Sequence, residues 1–516
     1  MLQNLKNIAV VSLSTMGSRL LGLVRDILIF AALGTSLWNS AFILAFTLPN
    51  LFRRLLGEGA LTSALVPVFS DMLERNGRTG AFRFFNQVLL RLLLALGVIV
   101  TVGMGFLAWA SSQPWLSDRW VLGAELAVWL LPYMLFICLT AIISAGLNLV
   151  GRFAVAASTP ILLNGAMIGA LLVGLWLEAD LAGKVYWLCG GVLLGGILQL
   201  LVPAIDLMRQ GWRPRIEPQG GAELTELWQL FLPGLMGAAI LQINILVSRL
   251  LAFSLEESAV SVLYLASRLM ELPLGVFTIA VATVFFPLLA KARSAGDEAG
   301  FSAAFLQGMR LVVGISLPAG VGLAVLGEPI LELLFRWGAF DQTDVRATLP
   351  LLAIYGLGLP FYSAATFATR GLHAIKDMRT PVRVAGWCLL VNLLAGLGLM
   401  QLFGAAGLAT ANVMAAVVQS VCLWRALAGR HALLGFFGLR RPILKVLLAS
   451  AAMGVACWCL AALLTEFGLG QKLTATLIVA VCVPGGAALY FGLLYWLRFE
   501  EFESLKKLLL RYKPGM

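Results

Sequence analysis

The chain has 516 residues, of which 60% are hydrophobic and 12% are charged, and its mean hydropathy is +0.93. This composition excludes a water-soluble globular fold and indicates a polytopic helical membrane protein. The formal net charge of +11 comes from basic residues in alternate loops, as the positive-inside rule requires, so we interpret the charge as a topology signal and expect no nucleic-acid partner.

In chain order, windows of about 20 apolar residues predict fourteen transmembrane segments. Their approximate bounds are 7–33, 37–72, 82–110, 121–150, 158–177, 184–208, 225–253, 258–290, 302–326, 345–373, 381–402, 405–427, 443–465 and 473–497. The second segment contains Pro49 and Pro67, and the eighth contains Pro273 and Pro287. Because both segments are also too long for one straight span, we expect bent or broken helices there.

The loop charges predict the orientation of the chain. Arg75, Arg152, Lys291 and the basic stretch from Arg425 to Arg441 all lie on one side of the membrane, and the opposite loops are poorer in basic residues. The first segment carries charges and lacks a cleavage site, so no removable signal peptide is expected. Both termini are therefore predicted to be cytoplasmic.

Charged residues inside the first two segments are the strongest functional signal. A charge at mid-membrane costs about 2.5–3.5 kcal/mol on insertion scales, so these residues require an aqueous cavity, a partner or a ligand. Basic residues are in excess, which indicates an anionic ligand, and arginine forks suit phosphate or pyrophosphate oxygens. The residues are Arg19, Arg25 and Asp26 in the first segment and Arg53, Arg54 and Glu58 in the second.

Helical spacing gives a partial map of these charges. Arg19 and Asp26 are seven residues apart and share a helix face, whereas Arg54 and Glu58 are four apart and spaced to pair. The alternative is that the arginines only reach an interface or lock helices through ion pairs. That alternative fits Arg54 better than Arg19 and Arg25, which have apolar residues on both sides.

An internal repeat with an offset of about 220 residues organises the chain. Sparse residues recur in the same order at this offset: Pro67 and Pro287, Phe85 and Phe305, Gly146 and Gly371, Gln199 and Gln419. An even number of segments separates the copies, so both have the same membrane orientation. The sequence thus predicts an all-α protein with two parallel-repeat six-helix lobes, 1–217 and 218–430, around a central cavity, and two additional helices in 431–516.

The chain has no visible catalytic or nucleotide-binding machinery. It lacks a GxxxxGK[ST] phosphate loop, HExxH and GxSxG. Seven cysteines lie within apolar runs, and two histidines have no second imidazole at metal-ligand spacing, so no metal site or cofactor is expected. We interpret the protein as a transporter, not an enzyme, whose driving force is an ion gradient, the membrane potential or the substrate gradient itself.

Several motifs resemble one known family. These are Ser18 to Asp26, Leu48 to Arg54, Gly57 to Ala60, Pro160 to Asn164, Arg268 to Pro273, and Lys376-Asp377 with Thr380-Pro381. Together they are similar to the MurJ (MviN) lipid II flippases of bacterial peptidoglycan synthesis, and the resemblance covers nearly the whole chain. It implies the multidrug/oligosaccharidyl-lipid/polysaccharide (MOP) exporter fold, with two further helices that form a groove for a lipid tail.

The resemblance also implies a substrate and a set of site residues. The substrate would be undecaprenyl-pyrophosphate-linked disaccharide-peptide, moved to the outer leaflet of the bacterial cytoplasmic membrane by alternating access. Membrane lipids and cell-wall synthesis enzymes are the other expected partners. The residues implied for the pyrophosphate are Arg19, Arg25, Arg53 and Arg268, with Asp26, Pro49, Asn50, Arg54, Glu58 and Glu271 in supporting or gating roles.

Some positions depart from the family pattern. Ser248 precedes Arg249 and Ser267 precedes Arg268 where many members carry an acidic residue, and Ser40 and Thr47 replace an acidic and a basic residue. The missing carboxylates do not favour a sodium site, although Asn392 is a candidate ligand, and coupling to a monovalent cation or to the membrane potential alone both stay open. The alternative functions are export of another polyprenyl-linked glycan or small molecule by the same fold, and a non-transporting cell-wall scaffold.

Overall fold

The computed structural model describes residues 2–57, 60–431, 433–435 and 437–501, and these residues form helices without any strand. The helices are α1 (Leu2–Leu33), α2 (Leu37–Phe52), α3 (Ala60–Ser111), α4 (Asp118–Leu130), α5 (Tyr133–Leu149), α6 (Phe153–Trp176), α7 (Leu181–Arg209), α8 (Ala222–Leu255), α9 (Ala259–Pro273), α10 (Ile279–Ser294), α11 (Glu298–Val325), α12 (Gly327–Leu334), α13 (Gln342–Ala374), α14 (Arg379–Ala428), α15 (Phe437–Thr465) and α16 (Gln471–Trp496). Two π-helical turns, π1 (Arg53–Gly57) and π2 (Leu274–Thr278), follow α2 and α9.

Two of the longest helices are broken by glycine. Gly77 in α3 has φ of 65° and Gly404 in α14 has φ of 58°, a left-handed conformation that glycine adopts without steric cost. Within the described residues, ten helices are long and apolar enough to cross a membrane, or eleven if the bent pair α4 and α5 is one span. Once the breaks at Gly77 and Gly404 are counted, these elements are consistent with the fourteen predicted segments.

By their contacts the residues form two compact units. Unit 1 contains residues up to Ser261 together with Trp337–Phe340, and unit 2 contains 262–336 and the chain from Asp341 onward. Packing thus places α8 in unit 1. The predicted lobes were defined by the repeat and not by packing, and their boundaries stay a prediction.

The short segment Trp337–Phe340 belongs to unit 1 although it is remote from the rest of that unit in sequence. The Ala339 amide donates to the Ala31 carbonyl at 2.7 Å, and the Phe340 ring meets Phe30 edge to face. A Cβ on Gly338 would lie 2.3 Å from the Ala31 carbonyl oxygen. Only glycine therefore fits at this position beside the end of α1.

The two π-helical turns lie in the second and eighth segments, where the sequence predicts bent or broken helices. π1 follows Pro49 of α2, and π2 follows Pro273 directly. Proline lacks the N–H of a helical hydrogen bond, and a π turn absorbs the resulting disruption without ending the helix. The two turns lie about 220 residues apart, which is the offset of the sequence repeat.

One buried contact occurs in both units. A Cβ on Gly146 would lie 3.0 Å from the Phe85 ring, and a Cβ on Gly371 would lie 2.7 Å from the Phe305 ring. Both phenylalanines are fully buried. The sequence repeat paired these two phenylalanines and these two glycines, so the structure confirms that paired positions make the same contact.

Small residues bring neighbouring helices close together in each unit. In unit 1, Gly191 and Gly195 of α7 face the backbone of α6, and a Cβ on either would lie 3.0 Å from a main-chain atom. In unit 2, Gly320 of α11 and Gly356 of α13 face each other's carbonyl groups. Such close approach is the main source of packing energy between helices in lipid, where no hydrophobic effect drives helix association.

Ion pairs fasten helix ends on the side predicted to be cytoplasmic. In unit 1, Arg152 donates to Asp206 at 3.0 Å. In unit 2, Asp377 accepts from Arg430 and from the amide and hydroxyl groups of Thr380. Burial alone would raise the pKa of the Asp377 carboxyl, but these hydrogen bonds outweigh burial and hold its pKa well below the ordinary value. The turn before α14 is therefore charged and ordered at neutral pH.

The glycine contact gives a stability prediction. Gly371→Ala should lower the free energy of unfolding by about 1–3 kcal/mol, because Phe305 is fully buried and packed against the Phe367 ring and cannot move aside. Gly386→Ala in α14 is the matched control, since its Cβ would meet no atom within 4 Å. The measurement is the melting temperature of each purified variant in detergent, and equal values for the two variants would contradict the prediction.

Candidate anion-binding site of unit 1

Arg25 and Asp26 of α1 form the buried centre of the site. The Arg25 guanidinium donates to Asp26 Oδ1 from Nη2 at 2.6 Å and from Nε at 3.1 Å. Their side chains are 11% and 2% exposed. Adjacent helical residues point about 100° apart, so the pair forms because the arginine side chain is long enough to fold back. The carboxylate neutralises the guanidinium, and an anion that binds Arg25 must share it with Asp26.

Asn164 of α6 holds the pair in place. Its Oδ1 accepts from Arg25 Nη1 at 2.9 Å, and its Nδ2 donates to the Ser18 carbonyl at 3.2 Å. The side chain is buried. One amide therefore joins α6 to α1 at two positions, beside Arg25 and beside the exposed Arg19. These partners also define the amide orientation.

Arg53 begins the π1 turn, and its side chain is half-buried. The preceding turn of α2 is irregular, because Pro49 cannot donate to the Ala45 carbonyl and the Asn50 side chain donates to Phe46 O at 2.9 Å. Pro49 is buried and Asn50 half-buried, and their supporting or gating roles stay a prediction. Arg54 is exposed, and Glu58, its predicted partner, lies outside the described residues.

A buried polar network on α5, α6 and α7 lies next to the two arginines. Tyr133 of α5 donates to Gln199 Oε1 at 3.0 Å, and Gln199 Nε2 donates to the Thr159 carbonyl at 3.0 Å. The α5 helix, which carries Tyr133, packs against π1, and α6 packs against α1. The network thus joins the helices that pack against the Arg53 turn and against the Arg25 helix.

The remaining predicted site residues lie in unit 2. Arg268 Nη1 donates to Glu271 Oε2 at 3.3 Å, one turn further along α9, and the side chains are 34% and 47% exposed. An ion pair this exposed contributes little to stability, so the arrangement suits a guanidinium that can change partners. The convergence of Arg268 with the arginines of unit 1 stays a prediction.

The charge and hydrogen-bonding groups of these side chains are of the kind that suits an anion with several oxygens. Arg25, Asp26 and Arg53 together carry an excess of one positive charge, and guanidinium groups donate paired hydrogen bonds to phosphate. Within the described part of the chain, no group of three His, Cys, Asp or Glu side chains is placed to hold a metal ion. Cys457 and Cys482 each contact the other's carbonyl group, which fits the packing role expected for the cysteines.

The fold is shared with transporters of known structure. An inward-facing multidrug resistance MATE family transporter of the MOP superfamily superposes with a TM-score of 0.66 at 15% identity, over 81% of this chain and 95% of that chain. At this identity the likeness shows the fold alone. It defines the protein as a helical membrane protein with the fold of that transporter.

More specific matches give the family. The family model for lipid II flippase MurJ matches residues 29–478. A solved lipid II flippase MurJ in an inward closed conformation superposes with a TM-score of 0.76 at 25% identity, over 95% of this chain and 98% of that chain. A probable lipid II flippase MurJ from Rhizobium meliloti is 35% identical, over 88% of this chain and 86% of its own, and one from Vibrio cholerae is 32% identical, over 97% and 98%. The chain belongs to the lipid II flippase MurJ family, as the sequence motifs indicated.

Sequence reasoning assigned no role to three residues that the structure places at the site. Asn164, Tyr133 and Gln199 are buried polar side chains within apolar helices. Polar side chains are costly at such positions, and that was the available signal. The partners of these side chains depend on how α5, α6 and α7 pack, which spacing along one helix does not give.

The buried network gives a second stability prediction. Gln199→Leu should cost about 1–3 kcal/mol in the free energy of unfolding, because the Tyr133 hydroxyl and the Thr159 carbonyl lose their partner in a buried site. Gln401→Leu, at an exposed position of α14, is the matched control. Both are measured as melting temperatures in the same detergent, and a Gln199→Leu value equal to wild type would refute the assigned hydrogen bonds.

Proposed function

We propose that this protein moves lipid II, an undecaprenyl-pyrophosphate-linked disaccharide-peptide, from the cytoplasmic to the outer leaflet of the bacterial cytoplasmic membrane. The observation that carries the proposal is the buried cluster that Arg25 and Asp26 of α1 form with Asn164 of the span-length helix α6, in a MurJ-family chain. Charged side chains buried in membrane helices mark the paths of polar substrates. The transport is non-enzymatic, and both termini lie in the cytoplasm.

The pyrophosphate is the group that the arginines would bind. Arg19, Arg25, Arg53 and Arg268 supply guanidinium groups, and Asp26 holds Arg25 in a fixed orientation. The supporting or gating residues are Pro49, Asn50, Arg54, Glu58 and Glu271. Since Arg25 is already paired with Asp26 and Asn164, an incoming pyrophosphate shares the guanidinium with these partners. This sharing limits the affinity for the pyrophosphate, which suits a carrier that must release its substrate.

The two last helices suit the polyprenyl tail. Many of their large apolar side chains are exposed, which favours contact with a hydrocarbon chain or with membrane lipids. They include Leu444, Leu447, Leu448, Val455, Trp458 and Leu463 on α15, and Leu473, Val481, Val483 and Phe491 on α16. Cell-wall synthesis enzymes that supply or consume lipid II are the proposed protein partners.

The arginine assignment can be tested in cells depleted of their native flippase. Wild type should restore lipid II in the outer leaflet, and Arg25→Ala and Arg53→Ala at matched membrane levels should lower exposure at least about tenfold, because each removes a charge-assisted contact. Arg346→Ala removes an exposed arginine that is not among the proposed site residues. This control variant should behave as wild type. Failure of wild type would reject the substrate, and full activity of both site variants would reject the arginine mechanism.

We propose the membrane potential as the driving force. Outward movement of a negatively charged headgroup from a negative interior releases about 2.3 kcal/mol per charge at 100 mV. In proteoliposomes, a negative potential on the headgroup-donor side, set with potassium and valinomycin, should accelerate lipid II transfer, and a sodium gradient at zero potential should not. Acceleration by sodium alone would establish cation coupling instead.

A further inference from the structure

Arg249 is a charged residue in the apolar part of α8 that the proposed site does not include. It lies six residues before the end of the helix at Leu255, about 9 Å along the axis, and its side chain is half-buried. The guanidinium turns toward α2 and not toward the helix end. Its Nη1 donates to the Ile43 carbonyl at 3.2 Å and also hydrogen-bonds to Thr47 Oγ1.

These two acceptors belong to an irregular part of α2. Thr47 Oγ1 itself donates to the Ile43 carbonyl at 2.6 Å, and back-bonding of this kind bends helices. One turn later the Asn50 side chain donates to the Phe46 carbonyl, and Pro49 removes one backbone donor. Side chains therefore take part in holding about two successive turns of α2, residues 43–50, before π1 begins.

Arg53 is the residue whose position depends on this stretch. It lies six residues after Thr47, at the start of π1, and α8 packs against π1 as well as against α2. A helix weakened by proline and side-chain back-bonding is easily displaced. The hydrogen bonds from Arg249 hold α2 against α8.

We propose that Arg249 is a positioning residue for pyrophosphate binding. By donating to Ile43 and Thr47 it fixes the irregular end of α2, and this sets the position of the Arg53 guanidinium. The proposal rests on the proposed function, since it concerns the same site. It differs from direct binding because Arg249 acts through Arg53, and loss of Arg249 has no further effect once Arg53 is absent.

The test is lipid II binding to the full-length protein in nanodiscs, measured for Arg53→Gln, Arg249→Gln and the double variant. We expect each single variant to weaken binding about tenfold and the double variant to bind no more weakly than Arg53→Gln. Thr47→Val, which keeps the side-chain shape but removes the acceptor, should give a smaller loss that also vanishes in the Arg53→Gln background. Ser254→Ala on the exposed surface of α8 is the control and should bind as wild type.

The outcomes separate this proposal from the proposed function. If wild type does not bind lipid II, the proposed function fails. If wild type binds and Arg53→Gln weakens binding but Arg249→Gln does not, the positioning role is overturned. Losses that multiply in the double variant indicate direct contact or a general structural role, and these also overturn it. If Arg249→Gln does not fold, Arg249→Lys and Thr47→Val are each measured with and without Arg53→Gln. The positioning role then requires that each weakens binding alone and has no further effect in the Arg53→Gln background.

Discussion

The pairing of Arg25 with Asp26 is the interaction on which the candidate site depends. Neither charge could remain alone in the apolar α1, because an isolated charge in a low-dielectric environment costs far more than a surface one. As a pair held by Asn164, they cost less and still keep a guanidinium in a membrane helix. Asn164 of α6 accepts a hydrogen bond from Arg25 of α1, and this bond anchors α6 on α1. The packing of these two helices in unit 1 therefore depends on the pair.

Packing in the two units follows from the absence of a hydrophobic driving force inside lipid. Helices must then gain stability from close contact and from internal hydrogen bonds. Gly191 and Gly195 provide the first by bringing α7 onto the backbone of α6. Tyr133 and Gln199 provide the second by joining α5, α6 and α7. The polar network also lies near Arg25 and Arg53, so one arrangement serves both stability and the electrostatics of the site.

The sequence predicted the features that depend on local pattern. Helix class and the repeat that pairs Phe85 with Phe305 need only composition and spacing, and the structure confirms them. Proline chemistry predicted bent or broken helices, and the structure has π-helical turns after Pro49 and Pro273. The partners of Arg25 were not predictable: helical spacing pointed to the face shared by Arg19 and Asp26, whereas Arg25 folds back onto its neighbour and reaches Asn164, 139 residues away. Contacts of that kind depend on tertiary packing, which no single-helix pattern contains.

The segment Trp337–Phe340 has a consequence for biosynthesis. Unit 1 obtains the Ala339 hydrogen bond and the Phe340 ring contact only after 340 of the 516 residues have been made, long after its last preceding residue, Ser261, has left the ribosome. The end of α1 beside Ala31 therefore lacks these two contacts while residues 262–336 are synthesised. If the chain were divided after Ser261 and expressed as two fragments, Trp337–Phe340 would lie on the second fragment, whereas the rest of unit 1 would lie on the first.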